Sequence, residues 1–161
     1  MIQQKTRLEE FRPTRGQAIW LILAVGLILI PHATHLPLWA FASTLSLVGL
    51  AGLFAFRNWT PLPKWILWLA CLLGFGWTLI YFGSLNGRDP GVTLLSLMVA
   101  LKVLEIRGQR DAFVTVFLGY FLIATQFLFT QEMVLILYLV LTTFLLTVVL
   151  IGLSDPRDRI P

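Results

Sequence analysis

The segment from Gly87 to Asp111 constrains this chain most, because it is where charge enters an otherwise apolar helix. It opens Gly87-Arg88-Asp89-Pro90-Gly91 and closes Gly108-Gln109-Arg110-Asp111. Asp89 is expected to cap the first free N–H groups, with Pro90 in the first turn, where its missing N–H costs nothing. Gly108 falls where a left-handed C-terminal cap would lie. Leu94 to Leu101 is apolar except for Ser96, and Lys102, Glu105 and Arg107 then follow inside the same helix. With a rise of ~1.5 Å per residue and a hydrocarbon layer ~30 Å thick, Lys102 and Glu105 would sit in the far third of a span that begins at Asp89.

Composition explains why a bilayer is the relevant solvent. Hydrophobic residues fill 58% of the 161 positions, charged residues 12%, and mean hydropathy is +0.85. A soluble domain carries about 25% charged residues, so the chain reads as an integral membrane protein. Its net charge of +4 is confined to short connectors, so it speaks to topology; no basic face for nucleic acid is expected. The lone Cys71 lies mid-way through an apolar run and reads as a packing residue. The first apolar run lacks a small-x-small cleavage site and leads directly into another, so no cleavable signal peptide is expected.

The expected fold class is all-α, a polytopic membrane helix bundle of about six transmembrane helices. Residues 1–16 read as a cytoplasmic tail, 17–153 as the bundle and 154–161 as a linker-like tail. The expected spans are Ala18–Ile30, Leu38–Phe56, Trp65–Phe82, 90–107, Arg110–Phe129 and Met133–Leu153. The first is short, and Arg15 and Gln17 would have to snorkel to lengthen it. Pro31 to Pro37 reads as a proline-bounded turn. In the second span Ser43, Ser46, Gly49 and Gly52 recur at every third residue and predict a strip for close helix packing.

Charge sets the orientation. With six spans and the N-terminus inside, Lys5, Arg7, Arg12, Arg15, Arg57, Lys64, Lys102, Arg107, Arg110, Arg157 and Arg159 face the cytoplasm, and only Arg88 faces out. If the fourth segment were re-entrant, the twelve basic residues would divide six against six. The positive-inside rule therefore favours six spans with both ends cytoplasmic.

Little in the chain resembles assembled chemistry. His32-x-x-His35 supplies two imidazoles where a metal site needs three or four ligands, so the pair reads as interfacial turn residues. There is no nucleophile–base–acid arrangement among polar neighbours and no glycine-rich phosphate loop, and no cofactor is expected. The candidates that remain are the charged residues Arg88, Asp89, Lys102, Glu105, Arg107, Arg110 and Asp111 and the intramembrane polar residues Tyr120, Gln126 and Gln131. Lys102 and Glu105 are three apart and able to pair on one helix face. The structural role, a charge cluster pinning the hairpin of the fourth and fifth helices, is set against a substrate contact or an ion path. Tyr120, Thr125 and Gln126 are expected to bond between helices.

The same residues carry a family resemblance. Gly87-Arg88-Asp89-Pro90-Gly91, then Ala100-Leu101-Lys102-Val103-Leu104-Glu105-x-Arg107-x-x-Arg110-Asp111, Tyr120-Phe121-Leu122 and Phe127-Leu128-Phe129-x-Gln131 resemble the N-terminal membrane domain of bacterial transglutaminase-like proteins of the TgpA type. The resemblance is loose over most of the chain and sharp from about 85 to 131. It implies a multi-pass domain of the bacterial inner membrane that precedes an extracytoplasmic core with a Cys-His-Asp triad. No triad residue carries over, since Cys71 is not in the catalytic motif, so the chain itself reads as a non-catalytic anchor. Its partners would be the lipid bilayer and a transglutaminase-like core or another membrane protein. An outward core calls for an outward exit from the last span, whereas the charge count places that end inside; a re-entrant fourth segment, an unusual orientation or a product without the core would each reconcile them. The alternative function is a small transporter or channel subunit lining a path with Lys102, Glu105, Tyr120 and Gln126.

Overall fold

Each of the six apolar runs folds as its own helix. The structure is a computed structural model; it describes residues 15–57, 62–106, 108–129 and 132–154. The helices are α1 (Arg15–Leu29), α2 (Leu38–Arg57), α3 (Lys64–Phe82), α4 (Arg88–Glu105), α5 (Gln109–Gln126) and α6 (Met133–Ser154), and no strand occurs among the described residues. The boundaries fall within a few residues of those expected. Both expected tails, 1–16 but for its last two residues and 154–161 beyond Ser154, lie outside the described residues.

The first span is longer than its apolar run suggests. The Pro31–Pro37 stretch is not simply a turn: Ile30–Thr34 is a 3-10 helix that continues α1. The combined segment Gly16–Thr34 is then long and apolar enough to cross a bilayer, as are α2, α3 and α6. Pro31 has no N–H to give the carbonyl of Leu27. The hydroxyl of Tyr138 on α6 supplies the missing donor at 2.8 Å. One residue on, the His32 ring donates from Nδ1 to the carbonyl of Ile28 at 3.0 Å. A helix in an apolar medium tolerates proline when neighbours satisfy the freed carbonyls in this way. Tyr138→Phe removes one of those donors and is expected to cost ~0.5–2 kcal/mol, measured as the shift of unfolding in mixed detergent micelles.

Two helix ends differ from expectation. α4 starts at Arg88 after Gly87, and Asp89 makes no side-chain cap; it is an acidic residue of the first turn, where it complements the helix dipole. Gly108 is extended, with φ −152° and ψ 172°, and precedes α5 instead of closing α4, which stops at Glu105 before Ile106. The left-handed cap occurs at Gly83, where φ is 68° and the N–H reaches the carbonyl of Leu79 at 2.9 Å. A side chain there would meet the backbone strain that glycine avoids.

The helices run alternately up and down. α1 packs on α2, α4, α5 and α6, while α4 packs on α2, α3 and α5. The core is a cluster through Leu21, Val25 and Ile28 of α1, Val99 and Val103 of α4, Val116 and Leu122 of α5 and Leu139 and Leu146 of α6. Burial is unevenly shared. Nine residues of α4 and seven of α5 are buried, against two of α3. The two helices that carry charge and fall outside the bilayer-length apolar set are therefore the most enclosed. The outside of the bundle is apolar: Ile80, Trp68 and Phe144 are among many large hydrophobic side chains turned outward.

The small-residue strip of α2 is not its packing face. Ala40, Thr44, Val48 and Ala51 are buried, whereas Ser46 and Gly49 are exposed and Gly49 has open space where a Cβ would stand. Ser43 and Ser46 bond carbonyls of their own helix instead. A three-residue spacing drifts round a 3.6-residue helix, so the four positions cannot share one contact line.

Candidate functional site

Polar side chains gather at the two ends of the bundle, with a few bonds between. At one end, Lys102 in the last turn of α4 holds two carboxylates. Its Nζ lies 2.8 Å from Oδ1 of Asp111 on α5 and 3.1 Å from Oε2 of Glu105. Asp111 stands in the first turn of α5, where the helix dipole favours a negative charge. Glu105 closes α4, where the dipole disfavours one, and the Lys102 ammonium offsets that. The three side chains are only 21–31% exposed, so the cluster is neither a free surface pair nor a fully buried one. Sequence placed Lys102 with Glu105; the structure adds that the shorter contact crosses to α5 and closes the hairpin. Arg110 is exposed and makes no ion pair with a described residue. Arg107 and Gln131 lie outside the described residues.

The same end gathers the helix termini. The amide of Gln17, at the start of α1, donates to the carbonyl of Gly152 at 2.8 Å. The amide of Gln109, at the start of α5, donates to the carbonyl of Leu153. Both satisfy carbonyls that α6 leaves open in its last turn. Sequence reasoning gave Gln17 only a snorkelling role and Gln109 none; the available signal was that every helix end requires such partners. A groove of about 260 Å³ opens here between α3 and α4, with Lys64, Cys71, Lys102 and Glu105 on its lining. Cys71 is thus half-buried on a groove wall and not a core residue.

At the other end Arg88 reaches across to the segment after α5. Its Nη1 donates to the carbonyl of Leu128 at 2.9 Å, and its guanidinium carbon lies 5.0 Å from the centre of the Phe129 ring. His35 stacks on the same ring at 4.7 Å, and Asp89 stands 3.5 Å from Arg88 Nε. Arg88 and Lys102 therefore bracket α4, one at each end of the bundle. α4 runs from one end of the bundle to the other as a single helix. Of the basic side chains described, Arg57, Lys64, Lys102 and Arg110 lie at the Lys102 end and Arg88 at the opposite one.

Between the ends, Tyr120 bonds Thr147 of α6 at 2.8 Å, as expected of an interhelical contact. His32 corrects the picture of two interfacial turn residues. It is completely buried, and its Nε2 lies 3.4 Å from Oγ1 of Thr125. Because the Ile28 carbonyl can only accept, Nδ1 carries the proton of the neutral ring; the Thr125 hydroxyl gives its one proton to the carbonyl of Leu122 at 2.8 Å, so the longer approach of Nε2 is a contact and not a second donation. The two histidines face different partners and do not converge. Gln126 is buried, and its Oε1 has no partner among the described residues. Among those residues no three of His, Cys, Asp and Glu come together to hold a metal. The four residues of the transport alternative are spread along the bundle: Lys102 and Glu105 bind each other at one end, Tyr120 binds α6, and Gln126 ends α5 at the other.

Residues 20–161 match the family model of the TgpA N-terminal domain. The chain belongs to that family. A curated relative, the protein-glutamine gamma-glutamyltransferase of Pseudomonas aeruginosa, is 38% identical over 144 residues, which cover 88% of this chain and 21% of the relative. The chain thus spans about a fifth of the length of the curated relative it matches. No solved structure matches it. The stretch whose motifs resemble the family most sharply falls on α4, α5 and the segment between α5 and α6, which are also the best-enclosed helices and the carriers of both charged ends.

Proposed function

We propose that this chain is a non-catalytic, multi-pass domain of the bacterial inner membrane, the anchoring part of a transglutaminase-like protein. The observation that carries the reading is the inside-out distribution of polarity. The charged, less apolar helices α4 and α5 are enclosed, while the surface around them is apolar. In water such a surface would be unstable; in lipid it is the expected exterior, and polar groups turn inward to find partners. The family supports the anchoring role, since the matched relative is named for its transferase activity and this chain corresponds to only a fifth of it. With the Lys102 end carrying most of the basic residues, that end faces the cytoplasm and Arg88 faces outward.

Accessibility labelling tests the arrangement. In a Cys71→Ser background, Asn86→Cys is expected to react with a membrane-impermeant maleimide on intact cells, and Arg110→Cys only after permeabilisation. Both positions are exposed in the structure and flank α4. Labelling of both from the same side would overturn the full crossing of α4 and with it the six-span domain.

A further inference from the structure

The groove between α3 and α4 has a chemical character that anchoring does not use. Leu67 and Cys71 of α3 and Met98 of α4 make its walls apolar, and Lys64, Lys102 and Glu105 line its charged end. Its volume of about 260 Å³ lies just below the ~300 Å³ at which small-molecule pockets begin, so it suits one chain segment and the edge of a headgroup. Two of the charges stand where their own helices disfavour them. Lys64 is in the first turn of α3, at the positive end of the dipole, with no acidic residue in that turn and no side-chain cap. It makes no ion pair with a described residue. Glu105 is the last residue of α4, at the negative end, and shares its one lysine with Asp111.

We propose that this groove binds a zwitterionic phospholipid whose headgroup carries a primary ammonium, of the phosphatidylethanolamine class. The proposal rests on the bundle lying in a bilayer. The phosphate meets Lys64, the ammonium donates to Glu105, and one acyl chain lies along Leu67, Cys71 and Met98. Such a headgroup supplies an anion to the positive end of α3 and a cation to the negative end of α4 together. A simple anion would give Glu105 no partner beyond the lysine it shares with Asp111, and a simple cation would give Lys64 none. Basic pockets between membrane helices near the cytoplasmic face are recurrent headgroup sites, and the carboxylate on this one selects for an ammonium partner.

Native mass spectrometry of the delipidated protein, with lipids of matched acyl chains added back, tests this. Phosphatidylethanolamine is expected to be retained in preference to phosphatidylglycerol, which lacks the ammonium, and to phosphatidylcholine, whose methylated nitrogen cannot donate. Lys64→Gln should lower retention of phosphatidylethanolamine and phosphatidylglycerol alike, by roughly fivefold. Glu105→Gln should abolish the preference between those two lipids while Lys102 keeps Asp111 and the hairpin stays closed. Cys71→Phe fills the groove and should lower all three; Arg88→Gln, at the opposite end, should change none. Equal retention of the three lipids by the unaltered protein, a preference that survives Glu105→Gln, or displacement of the lipid by inorganic phosphate would overturn the proposal. So would a change of oligomeric state in place of lipid retention on Cys71→Phe, which would make the groove a contact with a second copy. Opposite-side labelling at residues 86 and 110 with no lipid preference sinks the groove alone, whereas same-side labelling sinks the bilayer arrangement on which it rests.

Discussion

Gly119→Leu is expected to destabilise the bundle by ~3 kcal/mol, at the upper end of the usual cost of overpacking a core. Gly119 lies in α5 where α1 and α6 both approach. A Cβ built there meets Cδ2 of Leu146 at 3.1 Å and Cδ1 of Ile28 at 3.4 Å. Both neighbours are themselves fully buried, so neither has room to swing away. Alanine is a milder case: its single methyl needs shifts of a few tenths of an ångström, and the gain in helix propensity offsets part of the strain. Leucine adds three more carbons at the same crossing. The helices must then separate, losing the close packing that replaces the hydrophobic effect between helices in lipid. Unfolding in mixed micelles measures the change. Gly76→Leu is the control, because a Cβ built at that position of α3 meets open space. Equal effects at the two glycines would show that the three-helix crossing does not limit the fold.

The second large effect is expected at Lys102. Lys102→Ala removes the cation that Glu105 and Asp111 share. An exposed pair is worth ~0–1 kcal/mol and breaking a buried one costs ~3–5 kcal/mol. At 21–31% exposure this cluster lies between, and a loss of ~2 kcal/mol follows from those limits. Part of the penalty comes from Glu105, which loses its ion pair at the negative end of α4, so adding Glu105→Gln to Lys102→Ala should recover part of the stability. A double variant that is weaker by the full sum of the single losses would show that the three groups act independently. Because the 2.8 Å contact crosses from α4 to α5, the damage should appear first as opening of that hairpin. Hydrogen exchange at the start of α5 would register it before the rest of the bundle opens.

Helix number and boundaries were legible because they depend on local properties. Apolar runs separated by Pro37, Pro63, the Gly83–Gly87 turn and Gly108 leave few other places to stop. The uneven charge was legible as well, and it falls on the two ends of α4. Three of the expected contacts also follow from spacing alone, since Lys102 and Glu105 are neighbours on a helix and Tyr120 and Thr125 are polar in otherwise apolar surroundings.

Which face of each helix meets which neighbour was decided only by the tertiary structure. In a soluble helix one polar side marks the direction of solvent, and the core face can be read by elimination. Here the lipid side and the protein side are both apolar, so the contrast vanishes; α2 buries Ala40, Thr44, Val48 and Ala51 and not its small-residue strip. The same loss of contrast hid the roles of His32, Gln17, Gln109 and Tyr138. Each satisfies a backbone carbonyl freed by a proline or by a helix end, and the donor comes from a residue four to 135 positions away. Sequence determines that those carbonyls must be satisfied. Only the packing of α1, α5 and α6 determines by whom, because that depends on which helices are brought side by side.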